Sequence, residues 1–129
     1  MAEGVVIRAA HYPGRAPIDS YGNGGFRFAG MSHRGSLLCL PSGIYGWDAP
    51  APTELDAMSL DKVFAEAAAV EILLVGTGTG LVLISRSLRE RCREAGIVAD
   101  PMSTGAAVRT FNVLLAEERA VAAALIAVD

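Results

Sequence analysis

One stretch of this chain leaves little freedom in the choice of fold. Residues 71–75 carry a continuous apolar run, Ile72-Leu73-Leu74-Val75, and residues 97–99 carry a second, Ile97-Val98-Ala99, with a helical pattern between them. An uninterrupted apolar run has no wet side, so such a strand has to be covered on both faces. Two strands joined through a helix use the long crossover that makes them parallel neighbours or near neighbours. Residues 71–99 therefore predict a βαβ crossover and an α/β fold. Ser87-Leu88-Arg89-Glu90 has the Ser-x-x-Glu form of a capping box that opens the helix, and Gly96 closes it.

The remaining segments supply further elements. Residues 5–8 are a short β-branched run, after which Pro13, Gly14, Pro17 and Asp19 break the chain before the turn Gly22-Asn23-Gly24-Gly25. Residues 25–29 alternate around Phe26 and Phe28, residues 36–40 form another apolar strand bounded by Pro41-Ser42-Gly43, and residues 44–47 follow at once. Close turns between short strands predict an N-terminal antiparallel hairpin or meander. The aromatics Phe26, Phe28, Tyr45 and Trp47 are expected in its core. Ala49-Pro50-Ala51-Pro52 reads as a loop, because a domain boundary there would leave about fifty and about eighty residues, too few for two cores. The 129 residues are thus read as a single domain.

Ser59 is a plausible N-cap for a helix ending near residue 69, with Leu60, Val63, Phe64 and Ala67 on one face. Residues 81–84 read as a brief strand or a packed loop. A third helix is expected over residues 104–117 and a closing strand over residues 120–128. Ala122-Ala123-Ala124-Leu125 prefers helix intrinsically, but Val121, Ile126 and Val128 and the charged break Glu117-Glu118-Arg119 favour a strand.

Composition narrows the function. A hydrophobic fraction of 52% against 19% charged residues argues for a filled interior and against disorder, and leaves room for an apolar surface patch. The formal charge of -3 lacks the excess of Lys and Arg that nucleic-acid binding needs. The clustered Arg86, Arg89, Arg91 and Arg93 are interspersed with Glu90 and Glu94, the pattern of a solvated helix face. Cys39 and Cys92 stand apart from any zinc or redox spacing and are read as buried thiols, while His11 and His33 are read as strand or loop histidines. No metal and no cofactor is implied. Met1-Ala2-Glu3-Gly4 opens no secretory signal, so a cytoplasmic location is expected. The longest apolar run, residues 120–128, is shorter than the roughly twenty residues a membrane span needs. Membrane contact would be peripheral or through a partner.

A candidate site emerges where two loops leave parallel strands on one sheet edge, the place where open α/β sheets bind ligands. Gly76-Thr77-Gly78-Thr79-Gly80 has Leu81 where a dinucleotide fingerprint would need its third glycine, and it lacks the Lys-Ser or Lys-Thr pair of a P-loop, so it reads as a tight strand exit. Thr77, Gly78, Thr79, Ser103, Thr104 and Gly105 would line a pocket at the N-terminus of the third helix. On that helix Ala107, Phe111, Leu114 and Leu115 form an apolar stripe, with Arg109 and Asn112 together on nearly the opposite side at about 100° per residue. Arg109 then either reaches a pocket or partner, or organises a loop. Asp100 is the only carboxylate nearby, and no nucleophile is paired with a base, so the residues name no reaction.

At these residues the chain resembles a known family. Gly24-Gly25-Phe26-Arg27, Gly35-Ser36-Leu37-Leu38, Leu40-Pro41-Ser42-Gly43, Gly76-Thr77-Gly78 and above all Met102-x-Thr104-Gly105-Ala106-Ala107-x-Arg109-Thr110-Phe111-Asn112-Val113-Leu114 look like the small domain of the mitochondrial complex I assembly factor three family and its bacterial and archaeal relatives. The resemblance runs along nearly the whole chain. It implies a three-layer fold with a mixed central sheet and a non-catalytic role in assembling the respiratory NADH dehydrogenase through protein partners, among them respiratory-complex subunits or assembly factors. Bacterial relatives tend to be encoded near protein-export components. Two departures stand out: Glu118 occupies a position after the helix where the family usually has glycine, and Val108 one where it often has cysteine.

The preferred expectation is an adaptor or assembly factor whose ligand or partner surface includes Thr77, Gly78, Thr79, Thr104, Gly105, Arg109 and Asn112. Two alternatives stand beside it. The pocket between residues 76–79 and 104–112 would hold a small anionic ligand, in a binding protein or an enzyme; or an exposed apolar surface would pair with itself in a homo-oligomer.

Overall fold

The computed structural model describes residues 11–129. The expected strand at residues 5–8 lies outside the described residues. Five strands build the central sheet in the order β5-β4-β8-β6-β7: β4 is Ser36–Leu40, β5 Gly43–Trp47, β6 Ile72–Gly76, β7 Val98–Met102 and β8 Val121–Leu125. The sheet is mixed. β6 pairs in parallel with both β7 and β8, while β4 pairs antiparallel with β5 and β8. A separate antiparallel sheet comprises β1 (Ile18–Gly22), β2 (Gly25–Phe28) and β3 (Met31–Arg34). The helices are α1 (Asp61–Ala65), α2 (Arg86–Glu94) and α3 (Thr104–Ala116).

The alternation of side chains across each strand divides the core in two. Leu38, Leu40, Leu73, Val75, Ala122 and Ala124 pack with Val63 of α1 and with Leu88 and Cys92 of α2. Leu37, Cys39, Leu74, Ala123 and Leu125 point the other way, into a cluster with Phe26 and Phe28 of the small sheet and Ala107 and Phe111 of α3. The domain therefore has three layers, with the central sheet between α1 and α2 on one side and α3 with the small sheet on the other. Connection handedness explains the division. The crossover β6-α2-β7 moves one way across the sheet and β7-α3-β8 moves back over β6, so two crossovers of the same hand place their helices on opposite faces.

The expected βαβ unit and three-layer α/β architecture are present, and the elements missed or shifted have local causes. β1 and β3 escape the sequence pattern because Asp19, Ser20, Ser32 and Arg34 are exposed and leave no apolar alternation to read. Each is tied to β2 by a two-residue turn with both residues at positive φ, Asn23-Gly24 (53° and 78°) and Ala29-Gly30 (49° and 74°), the geometry whose twist suits a tight hairpin. The helix expected from Ser59 to residue 69 is instead the short α1 between 3-10 turns at Met58–Leu60 and Ala67–Ala69. Ser59 is not its N-cap, because its hydroxyl and amide are spent on Asp56: Ser59 N–H donates to Asp56 Oδ1 at 2.9 Å, and its hydroxyl donates to the Asp56 carbonyl at 2.8 Å.

The cap of α2 is Ser85, not Ser87. Its hydroxyl accepts from Leu88 N–H at 3.1 Å, and the earlier start aims Leu88 and Cys92 at the sheet. Residues 81–84 are a packed strap outside any strand. β7 runs on through Pro101, which an edge strand tolerates because only one side of its ladder is used. In β8 the alanine run is strand despite its helical preference. The strand lies between β4 and β6 and is covered on both faces, so burial overrides propensity.

Candidate functional site

The first loop after β6 and the entry to α3 meet at the end of the parallel strands, as expected from the sequence. Gly76 makes the approach possible: a Cβ there would stand 3.0 Å from the Thr104 Cα and 3.1 Å from its hydroxyl. The two loops are then laced together. Thr77 N–H donates to the Met102 carbonyl at 2.8 Å, Thr104 N–H donates to the Gly78 carbonyl at 2.8 Å, and Gly78 N–H donates to the Thr104 hydroxyl at 3.0 Å. Ser103 caps α3, its hydroxyl accepting from Ala106 N–H at 3.3 Å.

The residues singled out from the sequence fall into two groups. Thr77 and Thr104 are buried. The Thr104 hydroxyl donates to the Ile126 carbonyl at 2.6 Å while accepting from Gly78, so it joins both loops to the chain after β8. The Thr77 hydroxyl lies 2.7 Å from the Gly80 carbonyl and 3.1 Å from that of Met102, and accepts from Val82 N–H at 3.0 Å. Asn112 behaves in the same way one side over. Its Oδ1 accepts from Ile18 N–H at 2.9 Å and its Nδ2 donates to the Ile18 carbonyl at 2.8 Å, so a side-chain amide acts as a strand partner for β1.

Gly78, Thr79, Gly105 and Arg109 do face a common recess of about 290 Å³, joined there by Tyr21, Ser103, Val128 and Asp129. Gly105 is the floor under Tyr21, since a Cβ at 105 would collide with the Tyr21 hydroxyl and stand 3.6 Å from the Arg109 guanidinium. The placement follows from matched lengths. β1 lies along α3 between the contacts Ile18–Asn112 and Tyr21–Gly105; three strand steps and seven helical steps each cover about 10 Å. Arg109 is exposed and brings a fixed positive charge to the rim. Tyr21 was not expected at the site. Its one local signal is its position just before the Gly22-Asn23-Gly24-Gly25 turn.

Other ionisable groups are accounted for elsewhere. Burial pushes the Cys39 thiol well up and raises that of Cys92, there against a smaller opposing effect of Arg91. Both are buried and free, as the sequence suggests. Among the described residues there is no group of three or more His, Cys, Asp and Glu placed to hold a metal, and no helix long and apolar enough to cross a membrane. The recess thus offers a guanidinium, hydroxyls, a glycine floor and the Asp129 carboxylate. A guanidinium and hydroxyls are groups that can hold a carboxylate or other anion, and the Asp129 carboxylate at the same recess opposes one.

Comparison with known proteins agrees with the motifs. The chain is 40% identical over 119 residues to an uncharacterised protein of Rhodobacter capsulatus, covering 92% of this chain and 90% of that one. It is 30% identical over 109 residues to the NADH dehydrogenase [ubiquinone] 1 alpha subcomplex assembly factor 3 of Xenopus tropicalis, covering 84% of this chain. The chain spans 60% of the length of that relative. Among solved structures, a protein of Bartonella henselae described as an outer membrane protein superposes with a TM-score of 0.88 at 59% identity, over 92% of this chain and all of that one. The family model for the protein of unknown function DUF498/DUF598 matches residues 18–126, from the first strand of the small sheet to the residue that follows β8, and the chain belongs to that family.

Proposed function

We propose that the protein is a non-catalytic adaptor in the assembly of a membrane respiratory complex of the complex I type, acting through protein contacts at the rim of the Arg109 recess. The observation that carries this reading is the division of polar groups. Thr77, Thr104, Asn112 and the Gly78 amide spend their hydrogen bonds on the fold, whereas Arg109 and Thr79 remain exposed at the recess. Such a surface is built to present a rigid shape with one cation, which suits recognition better than bond making. The names of the vertebrate relatives, complex I assembly factors at 30% identity, support the same role. Its place would be on the cytoplasmic side, with the inner membrane reached through the partner.

The test is to tag the protein in its native cell, solubilise membranes gently and compare what it retains with what an Arg109→Ala form retains. Recovery of respiratory-complex subunits by the unaltered protein and their loss from the variant is expected. Equal recovery by both forms would remove the recess from the interaction, and recovery of no subunit would remove the adaptor role.

A second reading keeps the same recess for a small anionic ligand. It is favoured by Arg109 standing beside the bare backbone of Gly105, with the Tyr21 hydroxyl above. A phosphate or carboxylate metabolite carried through purification, and lost from Arg109→Ala, would decide for it.

A further inference from the structure

Between Gly80 and α2 the chain runs as a strap that belongs to no strand. It is nonetheless fixed. The Thr77 hydroxyl holds the Gly80 carbonyl at 2.7 Å and Val82 N–H at 3.0 Å, and Ile84 is buried in the core beside Leu88. With Ile84 buried and the Val82 backbone held by Thr77, Leu81 and Leu83 turn outward, 59% and 69% exposed. Two bulky aliphatic side chains held outward by a fixed backbone differ from apolar residues scattered over a surface.

The next residues break a second rule. The N-terminus of a helix is its positive end and favours acidic side chains, yet the first turn of α2 holds no acid and carries Arg86 and Arg89 instead. The Arg86 side chain is 90% exposed, and among the described residues it pairs with Glu90 at 3.5 Å. At about 100° per residue Arg86, Arg89 and Arg93 share one flank of the outer face, while Arg91 turns aside to stack 4.3 Å over the Phe64 ring. Glu90 and Glu94 share this helix, so its outer face keeps a small excess of positive charge, a few residues after the two outward leucines, in a chain of net charge -3.

We propose that Leu81 and Leu83, with Arg86 and Arg89, form a docking surface for a bilayer that carries anionic phospholipid. The leucines enter the headgroup boundary and the guanidinium groups engage lipid phosphates. A bilayer fits better than an acidic peptide because the leucines project outward, whereas the described recesses are lined by other residues. The proposal goes beyond the adaptor reading and uses a different surface from the Arg109 recess.

The experiment is flotation of the purified full chain with vesicles of phosphatidylcholine alone and of phosphatidylcholine mixed with phosphatidylglycerol, at low and raised salt. Binding is expected only to the mixed vesicles, and should weaken as salt rises. Leu81→Ser combined with Leu83→Ser should lower partitioning by about tenfold or more, and Arg86→Gln combined with Arg89→Gln by about tenfold. All four positions are exposed, so both variants should keep the parent melting temperature. The proposal is overturned by an absence of binding, by equal binding to both vesicles, by variants that bind as the parent does, or by capture of an acidic protein through these residues without vesicle binding. The assay contains no protein partner, so a negative result leaves the adaptor reading standing and the Arg109→Ala comparison decides that separately.

Discussion

Asn112 of α3 and Ile18 of β1 exchange two hydrogen bonds, at 2.9 and 2.8 Å, although 94 residues separate them in the chain. The carboxamide offers one acceptor and one donor in the spacing of a peptide group, and so completes the edge of the small sheet from a helix. Asn112→Ala should cost about 2 kcal/mol, because both polar groups of the Ile18 backbone lose their partner. Asn112→Asp keeps the acceptor but sets a carboxylate against the Ile18 carbonyl, and should be no milder. Urea denaturation measures both, and a cost below a few tenths of a kcal/mol would show that water replaces the amide freely.

Thr104→Val removes a fully buried hydroxyl while keeping the shape of the side chain. The Ile126 carbonyl and Gly78 N–H would each lose a bond, and a loss of about 2–3 kcal/mol is expected. Hydrogen exchange should quicken first at Gly78. Protection unchanged at that amide would mean that the loops are held by other contacts.

Glu118 sits at φ +60° immediately beyond α3, where Glu118 N–H donates to the Leu115 carbonyl at 2.9 Å and Arg119 N–H to that of Leu114 at 3.0 Å. This is the left-handed helix stop that glycine favours. Glu118→Gly should therefore stabilise the protein, by about 1 kcal/mol. A lower melting temperature for the variant would show that the glutamate side chain repays its backbone strain.

His11 and His33, read from the sequence as strand or loop histidines, bring their rings to 4.8 Å between centroids. The His33 imidazolium is disfavoured mainly by burial and also by His11, against an opposing hydrogen bond with the Ser36 carbonyl, so its pKa lies below the ordinary 6.5. Because the folded value is depressed for a base, the unfolded chain binds the extra proton first. Stability should be constant above about pH 6.5 as far as this group is concerned and fall as pH drops through the lowered value. His33→Gln, which keeps a donor for Ser36, should flatten that part of a stability profile measured in urea. A profile of the same slope would assign the acid sensitivity to other groups.

Gly105→Ala tests the floor of the recess. Its Cβ meets the hydroxyl end of Tyr21, a side chain that is 42% exposed and free to swing away, so stability should fall by only about 1 kcal/mol or less. The Tyr21 ring resonances should shift markedly. A fold left unchanged, with Tyr21 still in place, would contradict the close packing of ring on backbone.

The sequence made some of this legible and hid the rest for definite reasons. The apolar run of β6 and the small-residue entry of α3 are local signals, so the α/β class and the meeting of the two loops could be read directly. The orientation of Thr104 could not, because it depends on the carbonyl of Ile126 on a different strand exit. The same holds for Asn112, whose partner is a backbone edge far back in the chain. β1 and β3 carry too little buried side chain to announce themselves; both rest on turn geometry, and β1 also on Asn112 of α3. Ser85 and Ser87 both fit a cap by spacing, and only the direction of Leu88 toward the sheet separates them.

The Thr77 hydroxyl bonds the strap at Gly80 and Val82 and lies 3.1 Å from the Met102 carbonyl at the root of α3. One buried oxygen thus serves as a common post for the outward leucines and for the loop that carries the Arg109 helix. A partner gripped at the recess would then have its heading relative to the leucine face set in advance, as a tool is set by its handle. An assembly process that must present a subunit to a membrane in one attitude would draw its accuracy from that rigidity.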